Sequence, residues 1–116
     1  MNGATNPEDI ARLFVERVNA RDAKALAELY AEDAVMAFPP GQETVGRDAI
    51  RAVFEDLVAA GPKFEFEEPL PALYYGDLAM TSTRAKDGTG GRVQVARRRP
   101  DGTWVRILDR PEAPVG

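Results

Sequence analysis

The 116-residue sequence contains no cysteine and no histidine. Without cysteine there is no disulfide, no thiol nucleophile and no thiolate metal site. Without histidine, Ser-His-Asp and Cys-His machinery is excluded, and with it any imidazole base. A zinc site would have to be all carboxylate, an unusual donor set, so neither a metal nor a cofactor is expected. Acid-base chemistry is left to Asp, Glu, Lys, Tyr or water. No apolar run approaches the length that spans a bilayer, and the opening MNGATNPEDI lacks the order of a signal peptide, so a cytoplasmic protein without membrane contact is expected. An excess of positive charge is missing as well. The net charge is −4, whereas binding a phosphate backbone needs a positive field, which argues against a nucleic-acid partner. The one basic run, Arg97-Arg98-Arg99, precedes a turn and reads as a solvated strand end rather than an anion site. The glycine-rich DGTGG, residues 87–91, lacks the following helix that a phosphate loop requires.

What is present fits one domain spanning residues 1–116, with 44% hydrophobic and 29% charged residues. Asn6-Pro7-Glu8-Asp9 reads as a helix start, with Asn6 as cap. Ile10, Leu13, Phe14 and Val18 then share one face to about Asn19. Asp22 can cap a second helix, read as far as Tyr30. AVMAF is a short strand stopped by Pro39-Pro40-Gly41. A third helix from about Arg47 carries Ile50, Val53, Phe54, Leu57 and Val58, and Gly61-Pro62 ends it. The second half alternates. KFEFEE reads as a half-exposed strand, bent at Pro69 and Pro71 and continued by ALYYG. LAMTSTRAK is the next strand, and RVQVARRR and TWVRILD form a hairpin around Pro100-Asp101-Gly102. Helices first and strands afterwards imply α+β, with helices covering one face of a curved sheet around an apolar interior.

The stretch NARDAKALAELYAEDAVMAFPPGQETVGRDAIRAVF resembles the front half of the nuclear transport factor 2-like superfamily, which includes ketosteroid isomerases, SnoaL-like polyketide cyclases and limonene-epoxide hydrolases. RRRPDGTWVRILD resembles its closing hairpin. The resemblance covers about residues 7–110. It implies three N-terminal helices packed on a strongly curved, mainly antiparallel sheet, a cone-shaped, cystatin-like α+β barrel. A fold of this kind hosts many activities, so the catalytic sets of its members are tested residue by residue. A ketosteroid isomerase needs a carboxylate base, a tyrosine and a protonated acid. Gapless matching puts Phe38 at the base, Phe14 at the tyrosine and Gln94 at the acid, which removes the standard mechanism. A limonene-epoxide hydrolase needs water ligands on the first strand, where Met36 and Phe38 stand, and an Arg-x-Asp pair where this chain has Arg84-x-Lys86. Its second aspartate is matched by Asp109, so half of the set persists, with a lysine in place of the key partner.

Strand alternation, matched in register to the family, turns Val105, Ile107 and Asp109 toward the cavity and leaves Trp104, Arg106 and Leu108 outside. The same match turns Met80, Ser82 and Arg84 inward, so Arg84 is expected to reach Asp109. Asp109 and Arg84 are the candidate catalytic pair, the carboxyl transferring a proton and the guanidinium tuning it or binding a substrate oxygen. Against that stands an ion pair without chemistry. Phe14, Met36, Phe38, Phe54, Met80 and Ile107 are expected to line the cavity for a small apolar organic molecule, with Gln94 as a neutral orienting group. An ordinary filled core accounts for the same apolar set. Tyr30 is expected to pack at a helix end, and one of Tyr74 and Tyr75 to face the cavity. Three functions stay open. The chain is a cofactor-free isomerase, cyclase or hydratase, a non-catalytic binding module, or a dimerisation module. The resemblance further implies a homodimer through the sheet, with Trp104, Arg106 and Leu108 on its outer row.

Overall fold

A computed structural model describes residues 3–61, 63–84 and 91–113. In chain order the elements are α1 (Asp9–Asn19), α2 (Ala23–Ala27), β1 (Tyr30–Met36), β2 (Thr44–Val45), α3 (Arg47–Ala60), β3 (Leu73–Tyr75), β4 (Leu78–Arg84), β5 (Gly91–Arg98) and β6 (Trp104–Ala113). The expected Lys86 and most of DGTGG lie outside the described residues.

The caps follow from the sequence. Asn6 Oδ1 accepts from the Asp9 amide at 3.1 Å and closes the turn ahead of α1, which starts two residues later than expected, with Glu8 rather than Asn6 at its cap position. Asp22 Oδ1 accepts from the Ala25 amide at 3.0 Å and starts α2. Gly61, in the left-handed region at φ 83°, ends α3. α2 is shorter than its periodicity suggests. It stops at Ala27 because the Leu29 carbonyl is taken by the Arg106 amide of β6 at 2.8 Å, which draws Tyr30 into the sheet.

The six strands run in the order β2-β1-β6-β5-β4-β3. β3 to β6 form the expected antiparallel meander. β1 joins it in parallel beside β6, and the two-residue β2 folds back on β1 out of what reads as a loop. The sheet is therefore mixed and open, with β2 and β3 at its edges, and does not close into a barrel. KFEFEE forms no strand. Asn19 at the end of α1 holds Phe64 instead, with its side-chain amide donating to the Phe64 carbonyl and accepting from the Phe64 amide, both at 2.9 Å. Those groups are thereby taken from any ladder, and only Pro69 bridges to Thr83. The segment becomes a strap between α1 and the sheet.

The helices cover the inner sheet face. Ile10, Val18, Leu26, Ile50 and Phe54 pack there with Tyr30, Met36, Ala79 and Ala96. The outer face is different. Cross-strand partners place Leu73, Met80, Val95, Leu108, Val35 and Val45 in one row, one residue per strand. Leu73, Met80, Leu108 and Val45 are exposed there. Among the described residues no helix is long and apolar enough to cross a membrane.

Candidate functional site

A recess of about 340 Å³ opens where α1, the strap and the inner face of β4 to β6 meet. Phe14 and Phe64 form an apolar wall, edge-on to each other at 6.0 Å. Glu67 and Arg92, paired at 2.6 Å, stand at another side. Gln94, Arg106 and Asp109 supply polar groups from the sheet.

These groups meet because of strand register. Thr81, Gln94 and Asp109 are successive cross-strand partners and share the inner face, and Thr81 Oγ1 donates to Gln94 Oε1 at 3.0 Å. In β6 the partner of Ala96 is Arg106 while that of Val95 is Leu108, so Ile107 is an extra residue. Such a bulge reverses which residues face inward beyond it. Arg106 and Asp109, three apart, therefore end on the same face, with Arg106 Nη1 3.6 Å from Asp109 Oδ2. A further irregularity in β1 sets Tyr30 level with Arg106. The Tyr30 hydroxyl donates to Asp109 Oδ2, and Arg106 Nη1 donates to the Tyr30 oxygen at 3.3 Å. The guanidinium also lies over the Phe14 ring at 5.4 Å and the Tyr30 ring at 5.8 Å. Phe54 packs under both rings, 5.9 Å from Phe14 and 5.5 Å from Tyr30.

All three members of the trio are buried, at 0% (Tyr30), 6% (Arg106) and 5% (Asp109) exposure. Taking a carboxylate and a guanidinium out of water costs several kcal/mol per ion, and pairing must offset it. Burial first, and then the negative charge of Asp109, push the Tyr30 phenol well above its ordinary value, against the opposing pull of Arg106. For Arg106, burial works against the charged form, but Tyr30 and Asp109 outweigh it and the guanidinium sits above its ordinary value. At neutral pH Tyr30 is thus a neutral donor and Arg106 a fixed cation. Two atoms of the trio are left over. Arg106 Nε and Asp109 Oδ1 are buried with no hydrogen-bond partner among the described residues. An unmet buried polar atom costs about 1–3 kcal/mol. The ion pair therefore offers one donor and one acceptor to whatever can reach them.

The SnoaL-like domain family matches this chain over residues 11–108, a span holding Phe14 of α1 and the first half of β6. The chain belongs to the SnoaL-like domain family. Among proteins of curated function, none matches the sequence. Solved structures agree on the fold of this SnoaL-like domain. An NTF2-like protein with a cystatin-like fold from Novosphingobium aromaticivorans is 24% identical, with a TM-score of 0.67, over 89% of this chain and 76% of that one. A ketosteroid isomerase-like protein from Erwinia carotovora atroseptica is 20% identical, with a TM-score of 0.70, over 92% and 94%. A domain of unknown function with a cystatin-like fold from Nostoc punctiforme is 16% identical, with a TM-score of 0.75, over 94% and 75%. At these identities the likeness is one of fold.

Within this SnoaL-like domain, the residues singled out from sequence fall into three groups. Asp109, Gln94 and Phe14 border the recess. Met36 and Phe54 are buried in the core, and Phe38 and Ile107 pack against it half-buried, so none of the four lines the recess. Met80 and Arg84 are misplaced by the alternation argument. Both lie on the outer face and are exposed, Met80 at 49%. Across the ladder Arg84 is level with Gly91 and Ala113, whereas Asp109 is level with Gln94 and Thr81. The cation at Asp109 is Arg106, one of the residues assigned to the outside. Trp104 faces inward too, edge-on to Tyr74 at 5.9 Å, and only Leu108 of that set is exposed. Neither Tyr74 nor Tyr75 borders the recess. Tyr30 and Arg106 are the residues missed. The one signal for Arg106 was a charge inside an otherwise apolar run, TWVRIL.

Proposed function

We propose that this SnoaL-like protein binds a small, mainly apolar organic molecule bearing a carbonyl or hydroxyl oxygen, and that Asp109 moves a proton on it. The observation that carries the reading is the unmet pair of atoms on the buried trio, beside a recess with an aromatic wall. Tyr30 and Arg106 occupy Asp109 Oδ2 and fix the carboxylate in place. Oδ1 is then the oxygen left for substrate. The matching chemistry is proton transfer next to a carbonyl. Oδ1 takes a proton from the carbon, the C–H electron pair moves toward the carbonyl oxygen, and Arg106 is the cation facing that developing charge. Return of the proton to a different carbon completes an isomerisation. Arg106 takes the part first given to Arg84.

Hydrogen–deuterium exchange of 2-tetralone, a bicyclic ketone with acidic protons next to its carbonyl, tests this directly. In D2O the wild-type protein is expected to bind the ketone and speed exchange above buffer. Asp109→Asn is expected to keep binding and lose the acceleration. Equal exchange in both proteins reduces the function to binding alone, and absence of binding removes the reading.

A second copy of the chain is the partner we propose for the outer sheet face. The apolar row crossing all six strands favours it, since exposed apolar patches that span a whole face mark interaction sites.

A further inference from the structure

A second recess, of about 440 Å³, lies between the helices and the β5–β6 turn and shares no lining residue with the first. Its wall is basic. Arg17 comes from α1, Lys24 from α2, Arg47 and Arg51 from the start of α3, and Arg99 from the turn. The chain as a whole has 15 Lys and Arg against 19 Asp and Glu, so an even distribution would leave any patch slightly acidic. Here five cations face two carboxylates, Glu28 and Asp48.

Arg47 and Arg99 are held in place by neutral oxygens, which position a charge without cancelling it. Arg17 Nη1 donates to the Ala25 carbonyl at 2.7 Å. Arg47 Nε donates to the Tyr30 carbonyl at 2.9 Å. Arg99 donates twice to Thr103 Oγ1, at 3.0 and 2.8 Å. Acidic neighbours outside the recess stand farther off. Glu32 is 4.0 Å from Arg47, Glu55 3.7 Å from Arg51 and Asp101 4.0 Å from Arg99. All three carboxylates are largely exposed, and pairs of that kind are worth about 0–1 kcal/mol. The arginine run of β5 divides accordingly. Arg97 and Arg98 pair with Asp33 and Asp77 on the exposed strand end, while Arg99 turns into the recess.

We propose that this recess binds a small molecule carrying a phosphate or diphosphate group. Guanidinium forks match phosphate oxygens two at a time. A surplus of cations over carboxylates calls for an anion of more than one charge, which a single carboxylate does not supply. The volume falls within the range of about 300–1,000 Å³ common to small-molecule sites.

Inorganic pyrophosphate is the probe, titrated into the intact protein at low salt by calorimetry. Saturable binding is expected, weakening as salt is raised. Lys24→Glu and Arg51→Glu, both at exposed positions, are each expected to weaken it about tenfold or more, the factor for losing one charge-assisted hydrogen bond. Arg12→Glu makes the same change of net charge on the exposed face of α1, where Arg12 pairs with Glu16, and is expected to leave binding nearly unchanged. No saturable binding by the wild type, or an equal loss in all three variants, overturns the proposal. None of these readouts involves Asp109, so the result is independent of the acid-base reading.

Discussion

Tyr30 donates a hydrogen bond from its hydroxyl to Asp109 and accepts one from Arg106, so it ties both charges together inside the core. Tyr30→Phe keeps the ring packing and removes both bonds. Hydrogen bonds to charged groups are worth about 1.5–3 kcal/mol, and a loss of stability of that order is expected in urea unfolding. The same residue sets an alkaline limit. Its folded-state pKa is raised above the ordinary value of 10.0, so the folded form keeps a proton that the unfolded chain has already lost. The stability this contributes is complete below the unfolded value and disappears as pH rises through the folded one. Followed by tyrosinate absorbance, Tyr30 is expected to ionise only as circular dichroism reports unfolding. A reversible titration of all three tyrosines in the folded protein would show that the phenol is not held in this way.

At the level of elements, the helices were legible because each carries its own signals: Asn6 closes the turn ahead of α1, Asp22 caps α2 and Gly61 ends α3. The meander was legible from alternation and turn residues. The facing of β6 was not, because Trp104, Val105, Ile107 and Leu108 are apolar in both phases, and a bulge among them leaves no mark in the pattern. The error put Arg106 outside, while Arg84 was misplaced by a separate match on β4, whose pairing with β5 has no bulge. KFEFEE shows the opposite failure. Its alternation is clear, yet Asn19 captures the backbone of Phe64 and a local contact overrides the period. Asn19→Ala is therefore expected to loosen the strap without touching the trio. Faster amide exchange at Phe64 is the readout, with a stability loss of about 1–3 kcal/mol for the two bonds. Unchanged exchange would mean that Phe64 packing alone holds the strap.

For the whole molecule, the resemblance carried the architecture, and the family match and solved structures agree with it. The order of helices before strands pointed the same way. What each surface offers became readable only with register in hand, since the outer apolar row draws one residue from each of six strands. If a second copy covers that face, Met80→Lys combined with Leu108→Lys sets buried cations against each other across the interface. Both side chains are about half exposed in the single chain, so folding is expected to survive while sedimentation shows a monomer in place of the wild-type dimer. A monomeric wild type would leave the apolar row without this partner. The charge is as unevenly placed as the apolar surface. A chain of net charge −4 gathers five of its cations around one recess.

Ile107, the extra residue of β6, acts as a parity switch. Side chains before it keep one assignment of inside and outside, and those from Leu108 to Arg110, ahead of a second irregularity in the strand, take the other. A related chain with the same letters in this strand but without the insertion would turn either Arg106 or Asp109 out to solvent, and the trio could not assemble. Within this fold, one backbone residue with no chemistry of its own can thus decide whether a strand presents a matched acid and cation or separates them, so a lineage can gain or lose the site by a change in length while every functional side chain stays in place.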